Sequence, residues 1–196
     1  MAVIAYHLIW TNYGTWLPND PRGSGSREVY TPVLAELGEL HFGRRLVQPR
    51  RGAVREFYQH AKPRLQFPAL RWDLPQIDVI ADSIAAVVQE QVYTCYACAI
   101  MLDHVHLVIR KHKHDAETMI DHFQSTSCSR LRLQRNVPGE HPTWAKSGWR
   151  VFLDNPTAVR QRVRYVERNP EREGLPRQYW RFVTPYDDWP FHKRRS

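Results

Sequence analysis

Cysteine is scarce in this chain. Three residues in 196 (Cys95, Cys98 and Cys128) cannot build a disulfide framework, and the usage fits a reducing cytoplasm. Lysine is scarce as well, with 5 against 23 arginines. No apolar run reaches the ~18 residues of a membrane span, so a helix threaded through a bilayer is not expected. The amino-terminal MAVIAYHLIWTNY has no basic region before its apolar stretch and soon turns polar, which makes a poor signal peptide. Acid is short relative to base: 20 Asp and Glu stand against 28 Lys and Arg, for a net charge of +8 and a pI near 9.7. What is present in quantity is apolar and aromatic, at 42% and 12%. That excludes a wholly disordered chain, and a chain of this length buries enough surface to fold without disulfides or a structural metal.

The basic excess favours an anionic partner, nucleic acid being the commonest. Arginine makes bidentate contacts to phosphate and to guanine edges that lysine does not; a GC-rich genome would produce the same bias. The charge is unevenly placed. Between Leu40 and Trp72 lie Arg44, Arg45, Arg50, Arg51, Arg55, Lys62, Arg64 and Arg71 against one acid, Glu56. Phe42, Phe57, Tyr58, Phe67 and Trp72 are interleaved with them. Basic groups that track phosphates and rings that stack on bases suit single strands or hairpins. A solvated surface insertion is the other reading.

Val3 to Trp10 reads as a strand, and TNYGTWLPNDPRGSGS (11–26) as loop. The stretch at about 20–72 has weak periodicity, with short helices expected near 33–40 and 52–61, and reads as an insertion. Ile77, Ile80, Ala81, Ile84, Val87 and Val88 recur at helical spacing, which predicts an amphipathic helix over 76–91. Tyr93–Met101 and His104–Arg110 read as strands joined by a tight turn at Leu102–Asp103. Asp115 is placed to cap a helix running to about Gln134. A loop is expected over 136–148 and a short strand over Trp149–Leu153. Asp154-Asn155-Pro156 starts a helix that should end near Asn169, ahead of Pro170. The tail at about 171–196 is rich in arginine and aromatics. The order predicts a single α+β domain over 1–196, a ferredoxin-like antiparallel sheet with helices on one face plus the basic insertion.

Two pieces carry chemistry. On the strand His104–Arg110, Val105, Leu107 and Ile109 share one face and His104 and His106 the other, where the imidazoles could grip one divalent cation. His-x-His pairs also arise by chance on ordinary strands. His7 is assigned to the core or surface of the sheet, and Lys111-His112-Lys113-His114 to a solvated loop or a phosphate contact. On the helix from Pro156, Val159, Val163 and Val166 form the buried stripe, and Ala158, Arg162, Tyr165 and Asn169 run beside it. A tyrosine hydroxyl with a metal ligand one turn away, among arginines, suits attack on a phosphodiester. Taken alone, the helix also fits Tyr165 as an amphipathic edge residue.

The hairpin YACAIMLDHVHLVIR (96–110), followed by VRYVERNPEREGL (163–175), resembles the single-tyrosine HUH transposases, and in particular the REP-associated tyrosine transposases. YHLIWTNYGTWLP (6–18) and FQSTSCSRLR (123–132) look similar to the same family. The resemblance implies a ferredoxin-like core with a catalytic-tyrosine helix. It implies His104 and His106 as metal ligands, Asn169 as the third ligand and Tyr165 as nucleophile, with Mg²⁺ or Mn²⁺ as cofactor. Arg44, Arg45, Arg50, Arg51 and Arg55 in the insertion, Arg130 in the 123–132 segment, and Arg162, Arg164 and Arg168 on the tyrosine helix are the expected DNA contacts. The implied reaction is cleavage and rejoining of single-stranded DNA at hairpin-marked sites through a 5′-phosphotyrosine link. The expected protein is cytoplasmic and nucleoid-associated, a monomer or homodimer, with no membrane partner. A non-catalytic hairpin-binding protein descended from such an enzyme is the alternative. The long insertion and the Cys95-x-x-Cys98 pair depart from the family pattern; with no second pair to make a zinc site, the two cysteines are read as core.

Overall fold

A computed structural model describes residues 2–26, 29, 32–134 and 137–190. Within the expected loop 136–148, residue 136 lies outside the described residues, as do 191–196 of the tail. The chain divides into two compact units, one of residues 1–10, 72–139 and 148–196, the other of 11–71 and 140–147. The insertion expected at about 20–72 falls largely in the second.

Four strands, β1 (Ala5–Asn12), β2 (Cys95–Ile100), β3 (His104–Arg110) and β4 (Trp144–Leu153), form a sheet in the order β2-β3-β1-β4, which lies in the first unit except for the last two residues of β1 and the first four of β4. β2 and β3 form an antiparallel hairpin in which Ala99 faces His106 and Cys98 faces Leu107. Ile4, just before β1, donates to the Leu153 carbonyl at the end of β4 and accepts from Lys111 just past β3. A strand start bonded to two strand ends makes both pairings antiparallel. This is the ferredoxin-like order expected from the sequence.

Helix α3 (Leu74–Glu90) begins where Asp73 and Gln76 form a reciprocal capping box, with Pro75 in the first turn. Asp115 caps α4 (Ala116–Leu133) by accepting from the Thr118 N–H at 2.8 Å. Ile77, Ile80, Ile84 and Val87 of α3 and Met119, Ile120, Phe123 and Leu131 of α4 are buried. Trp10 stacks on Phe123 at 5.8 Å. Gly148 permits a close approach here: a Cβ would stand 2.6 Å from Ile120 Cδ1 and 3.0 Å from the Ile9 carbonyl.

Helix α5 (Pro156–Glu167) starts at Asn155, whose side chain accepts from the Ala158 N–H at 2.9 Å. Its Val159 and Val166 pack with Ile4, Tyr96, Ala99, Met101, Val108 and Leu153. Val108 shares a strand face with His104 and His106. Both faces of β3 are therefore covered, by α5 on one side, and only His104 and Arg110 at its ends are partly exposed.

Several elements differ from the sequence reading. β4 begins at Trp144, five residues before the expected strand. α5 ends at Glu167, and Asn169 opens a further short helix, α6 (Asn169–Arg172), with Pro170 in its first turn. Proline fits there because the first helical N–H groups have no partner within the helix. The 111–114 segment is no freely solvated loop: His112 and His114 are half-buried, and the Tyr93 hydroxyl lies 2.9 Å from Nδ1 of both His114 and His122. The tail is ordered along the edge of β2 despite its lack of periodicity. The Gln178 amide pairs with the Ile100 N–H and C=O, and the Thr184 N–H donates to the Cys95 carbonyl. That covers a strand edge that would otherwise be open. Cys95 and Cys98 are buried, as expected of core residues, and burial raises the Cys95 thiol to about 12.

The second unit contains α1 (Pro32–Ala35) and α2 (Arg51–Ala61), the latter followed by a 3₁₀ turn (Lys62–Arg64). Its core is Leu17, Leu34 and Ala61, with Leu37, Phe57, Tyr58 and Leu65 packed against them. The loop after β1 is held by a buried polar knot. Arg22 bonds Asp20 through Nε at 2.9 Å and Nη2 at 2.7 Å, the Tyr58 hydroxyl donates to Asp20 at 2.6 Å, and the Arg22 guanidinium lies 3.8 Å over Trp16. The paired geometry satisfies a carboxylate that is almost wholly buried. No helix among the described residues is long and apolar enough to cross a membrane.

Candidate active site

Neighbouring strands β1 and β3 bring three imidazoles onto the face that α5 covers. His104 and His106 have ring centroids 4.7 Å apart. His7 stacks beside His106 at 5.0 Å, its Nε2 2.9 Å from His106 Nδ1. His104 donates from Nδ1 to the Asp103 carboxylate at 2.6 Å. Both histidines of the His-x-His pair thus have Nδ1 engaged, which orients each ring and leaves each Nε2 for another ligand.

The electrostatics keep two of these rings neutral. Burial, then the Arg162 and His104 charges, push His7 down to about 3. Burial, then His104, His7 and Arg162, hold His106 well below the usual histidine value. A neutral imidazole is the form that ligates a cation.

Tyr165 stands over this pair from α5. Its ring centroid is 5.8 Å from that of His106 and 6.1 Å from that of His7, both edge-on. Tyr165 is 38% exposed, although its ring packs on two buried imidazoles. The guanidiniums of Arg162, one turn earlier, and Arg172, from α6, lie 5.6 and 5.8 Å from the ring centroid. An anion brought to the tyrosine therefore meets two positive charges.

The structure thus brings His104, His106, Tyr165 and Arg162 together. Asn169 is 7% exposed, at the head of α6, one residue past the α5 C-cap. Arg164 and Arg168 are exposed on and just beyond α5, while Arg130 is half-buried in the last turn of α4. Arg44, Arg45, Arg50, Arg51 and Arg55 are all exposed in the second unit, with Arg51 and Arg55 one turn apart on α2.

Sequence reasoning leaves three residues out of the site. It places His7 in the core or surface of the sheet, yet His7 buttresses His106. It reads Asp103 only as a turn residue, and Arg172 only as part of the tail. Asp103 has a local signal, since it directly precedes His104.

The donor set suits a divalent cation: two imidazoles with oriented rings, one of them held neutral, and a carboxamide four residues beyond Tyr165. Among the described residues no three of His, Cys, Asp and Glu gather to hold a metal. Asn169 offers a carboxamide oxygen, a donor of another type.

No family model matches the chain, and no curated protein matches it in sequence. Among solved structures it is similar to a REP-associated tyrosine transposase bound to a REP hairpin, with a TM-score of 0.47 and 11% identity over 90% of this chain and 72% of that one. It is also similar to a Deinococcus radiodurans R1 chain assigned as a transposase, with a TM-score of 0.41 and 14% identity over 85% of this chain and 91% of that one.

Proposed function

We propose that the chain is a metal-dependent enzyme that nicks and rejoins single-stranded DNA at hairpin-marked sites, a transposase of the single-tyrosine HUH type. The observation that carries this reading is the placement of Tyr165 against His106, itself beside His104, with Arg162 and Arg172 near the tyrosine ring. A hydroxyl nucleophile, ligands for a cation and fixed positive charge are the parts a phosphodiester transfer needs. The order of the hairpin and tyrosine-helix motifs in the sequence supports the same reading.

His104, His106 and Asn169 would hold Mg²⁺ or Mn²⁺. When bound, such an ion polarises the scissile phosphate as a Lewis acid. Asp103 and His7 fix the two rings. The Tyr165 oxygen attacks the phosphorus and loses its proton to solvent at the exposed mouth of the site. The P–O3′ bond breaks, leaving the 5′-phosphate on Tyr165 and a 3′-oxygen that takes up a proton. Arg162 and Arg172 offset the charge that builds on the phosphate oxygens. Attack by a 3′-OH on the phosphotyrosine reverses the step, so rejoining needs no energy source. Arg44, Arg45, Arg50, Arg51 and Arg55 supply a basic surface for the hairpin backbone, and Arg164 and Arg168 extend the charge beside the tyrosine.

Incubation with Mn²⁺ and labelled single-stranded hairpins from the DNA flanking its own gene tests this. Metal-dependent cleavage that His106→Ala lowers by at least ~100-fold supports the reading. Equal cleavage by the variant contradicts the metal assignment.

A further inference from the structure

A cleft of about 360 Å³ opens beside the turn between α5 and α6, on the first unit. Its lining includes Cys98 and Pro170, together with Glu167, Arg177, Tyr179 and Arg181. The tail segment that forms one wall is fixed at both ends. Gln178 is tied to Ile100 by two hydrogen bonds of 2.8 and 2.7 Å, and the Thr184 N–H to the Cys95 carbonyl at 2.8 Å. Between these ties Tyr179 stands out at 76% exposed, with the Arg177 guanidinium 5.1 Å from its ring centroid. An exposed tyrosine on a pinned backbone is a ready stacking surface, and its ordering cost is already met by the fold.

The chemistry of the lining fits one ligand class. Apolar groups and an aromatic ring suit the face of a nucleobase. Two guanidiniums suit a phosphate, which they can bind in bidentate fashion. A lone carboxylate suits N–H donors on a base edge. The volume lies at the low end of small-ligand sites, roughly 300–1,000 Å³, which favours one nucleotide over a helix or a peptide. Glu167 is two residues beyond Tyr165, about 3 Å along the helix axis but about 200° around it, so a strand reaching both the cleft and the tyrosine passes around the end of α5, where Pro170 follows Asn169.

We propose that this cleft seats one unpaired nucleotide of the strand that runs to Tyr165, with its base on Tyr179, its phosphate between Arg177 and Arg181, and an amino group of the base on Glu167. This inference rests on the DNA-processing function proposed above. Adenine, cytosine and guanine each present an exocyclic amino group, whereas the one ring donor of thymine, N3–H, is flanked on both sides by carbonyl oxygens that a carboxylate repels. The cleft therefore discriminates against thymine at one position flanking the cleavage point.

The test uses the full chain carrying Tyr165→Phe, so that no strand is cut, and fluorescence anisotropy of two probe sets. One is a blunt DNA hairpin; the other is the same hairpin with a single-stranded extension scanned base by base. Tyr179→Ala should weaken binding of the extended probe roughly tenfold and leave the blunt hairpin unchanged. Tyr179→Phe should restore binding, because the ring remains. Glu167→Gln should remove the penalty for thymine at one extension position. If Tyr179→Ala and Glu167→Gln bind every extended probe as the parent does, the cleft inference falls while the DNA function stands. If the parent binds neither probe set, the functional reading falls and the cleft inference with it.

Discussion

His7 Nε2 lies 2.9 Å from His106 Nδ1, so a residue of β1 sets the ring of a residue 99 positions away on β3. The bond is buried, with His7 at 0% and His106 at 5% exposure. Its effect is to hold the His106 ring with Nε2 directed away from the bond. Asp103 does the same for His104 from the adjacent turn. The pair is thus oriented before any ligand arrives, and that orientation comes from residues outside the His-x-His motif.

This relationship makes His7 a positioning residue. His7→Ala should lower Mn²⁺ affinity by about 10–100-fold, as removal of an outer-shell partner does. Titration of the metal-free protein with Mn²⁺, followed by electron paramagnetic resonance of the free ion, measures it. Affinity equal to wild type would leave His7 a packing residue only.

Arg172 is invisible in the sequence as a site residue because it follows the proline that seems to end the helix. In the structure α6 carries it back to within 5.8 Å of the Tyr165 ring centroid. Arg172→Ala should reduce the single-turnover cleavage rate by on the order of 10²-fold, the effect typical of removing one group that stabilises transition-state charge. Hairpin affinity should change far less than the rate. A defect confined to affinity would make Arg172 a docking residue.

Arg44, Arg45, Arg50 and Arg51 are exposed in the second unit, in a stretch between Leu40 and Trp72 whose one acid is Glu56. Replacing all four by glutamine should lower the slope of log K against log salt by roughly 0.7–0.9 for each phosphate that is no longer neutralised. Filter binding of a hairpin across a series of salt concentrations reads the slope. An unaltered slope would make this surface a solvated one.

Much of the first unit is legible in the sequence because its signals are local. Asp73 with Gln76, Asp115 with Thr118, and Asn155 with Pro156 start the three long helices where the sequence reading places them, to within two residues. The alternation around His104 and His106 correctly puts both on one face of β3. What is not legible depends on long-range contacts. The 2.9 Å contact of His7 with His106 leaves no periodic trace in the sequence around either residue. The tail has no hydrophobic period because single side chains, Gln178 at Ile100 and Tyr186 against Tyr96 at 4.9 Å, hold it. The short helix at α6 is hidden because proline after a helix end and proline within the first turn of a new helix look alike in sequence.

Tyr165 as the nucleophile is the central step of the proposed reaction. The most direct measurement is to mix the protein with a labelled single-stranded hairpin and Mn²⁺, denature it in SDS, and map any adduct by peptide mass spectrometry. The expected result is a covalent DNA–protein species in which a 5′-phosphate is attached to Tyr165, and no such species with Tyr165→Phe. An adduct on a different residue, or cleavage that continues in Tyr165→Phe, would contradict it.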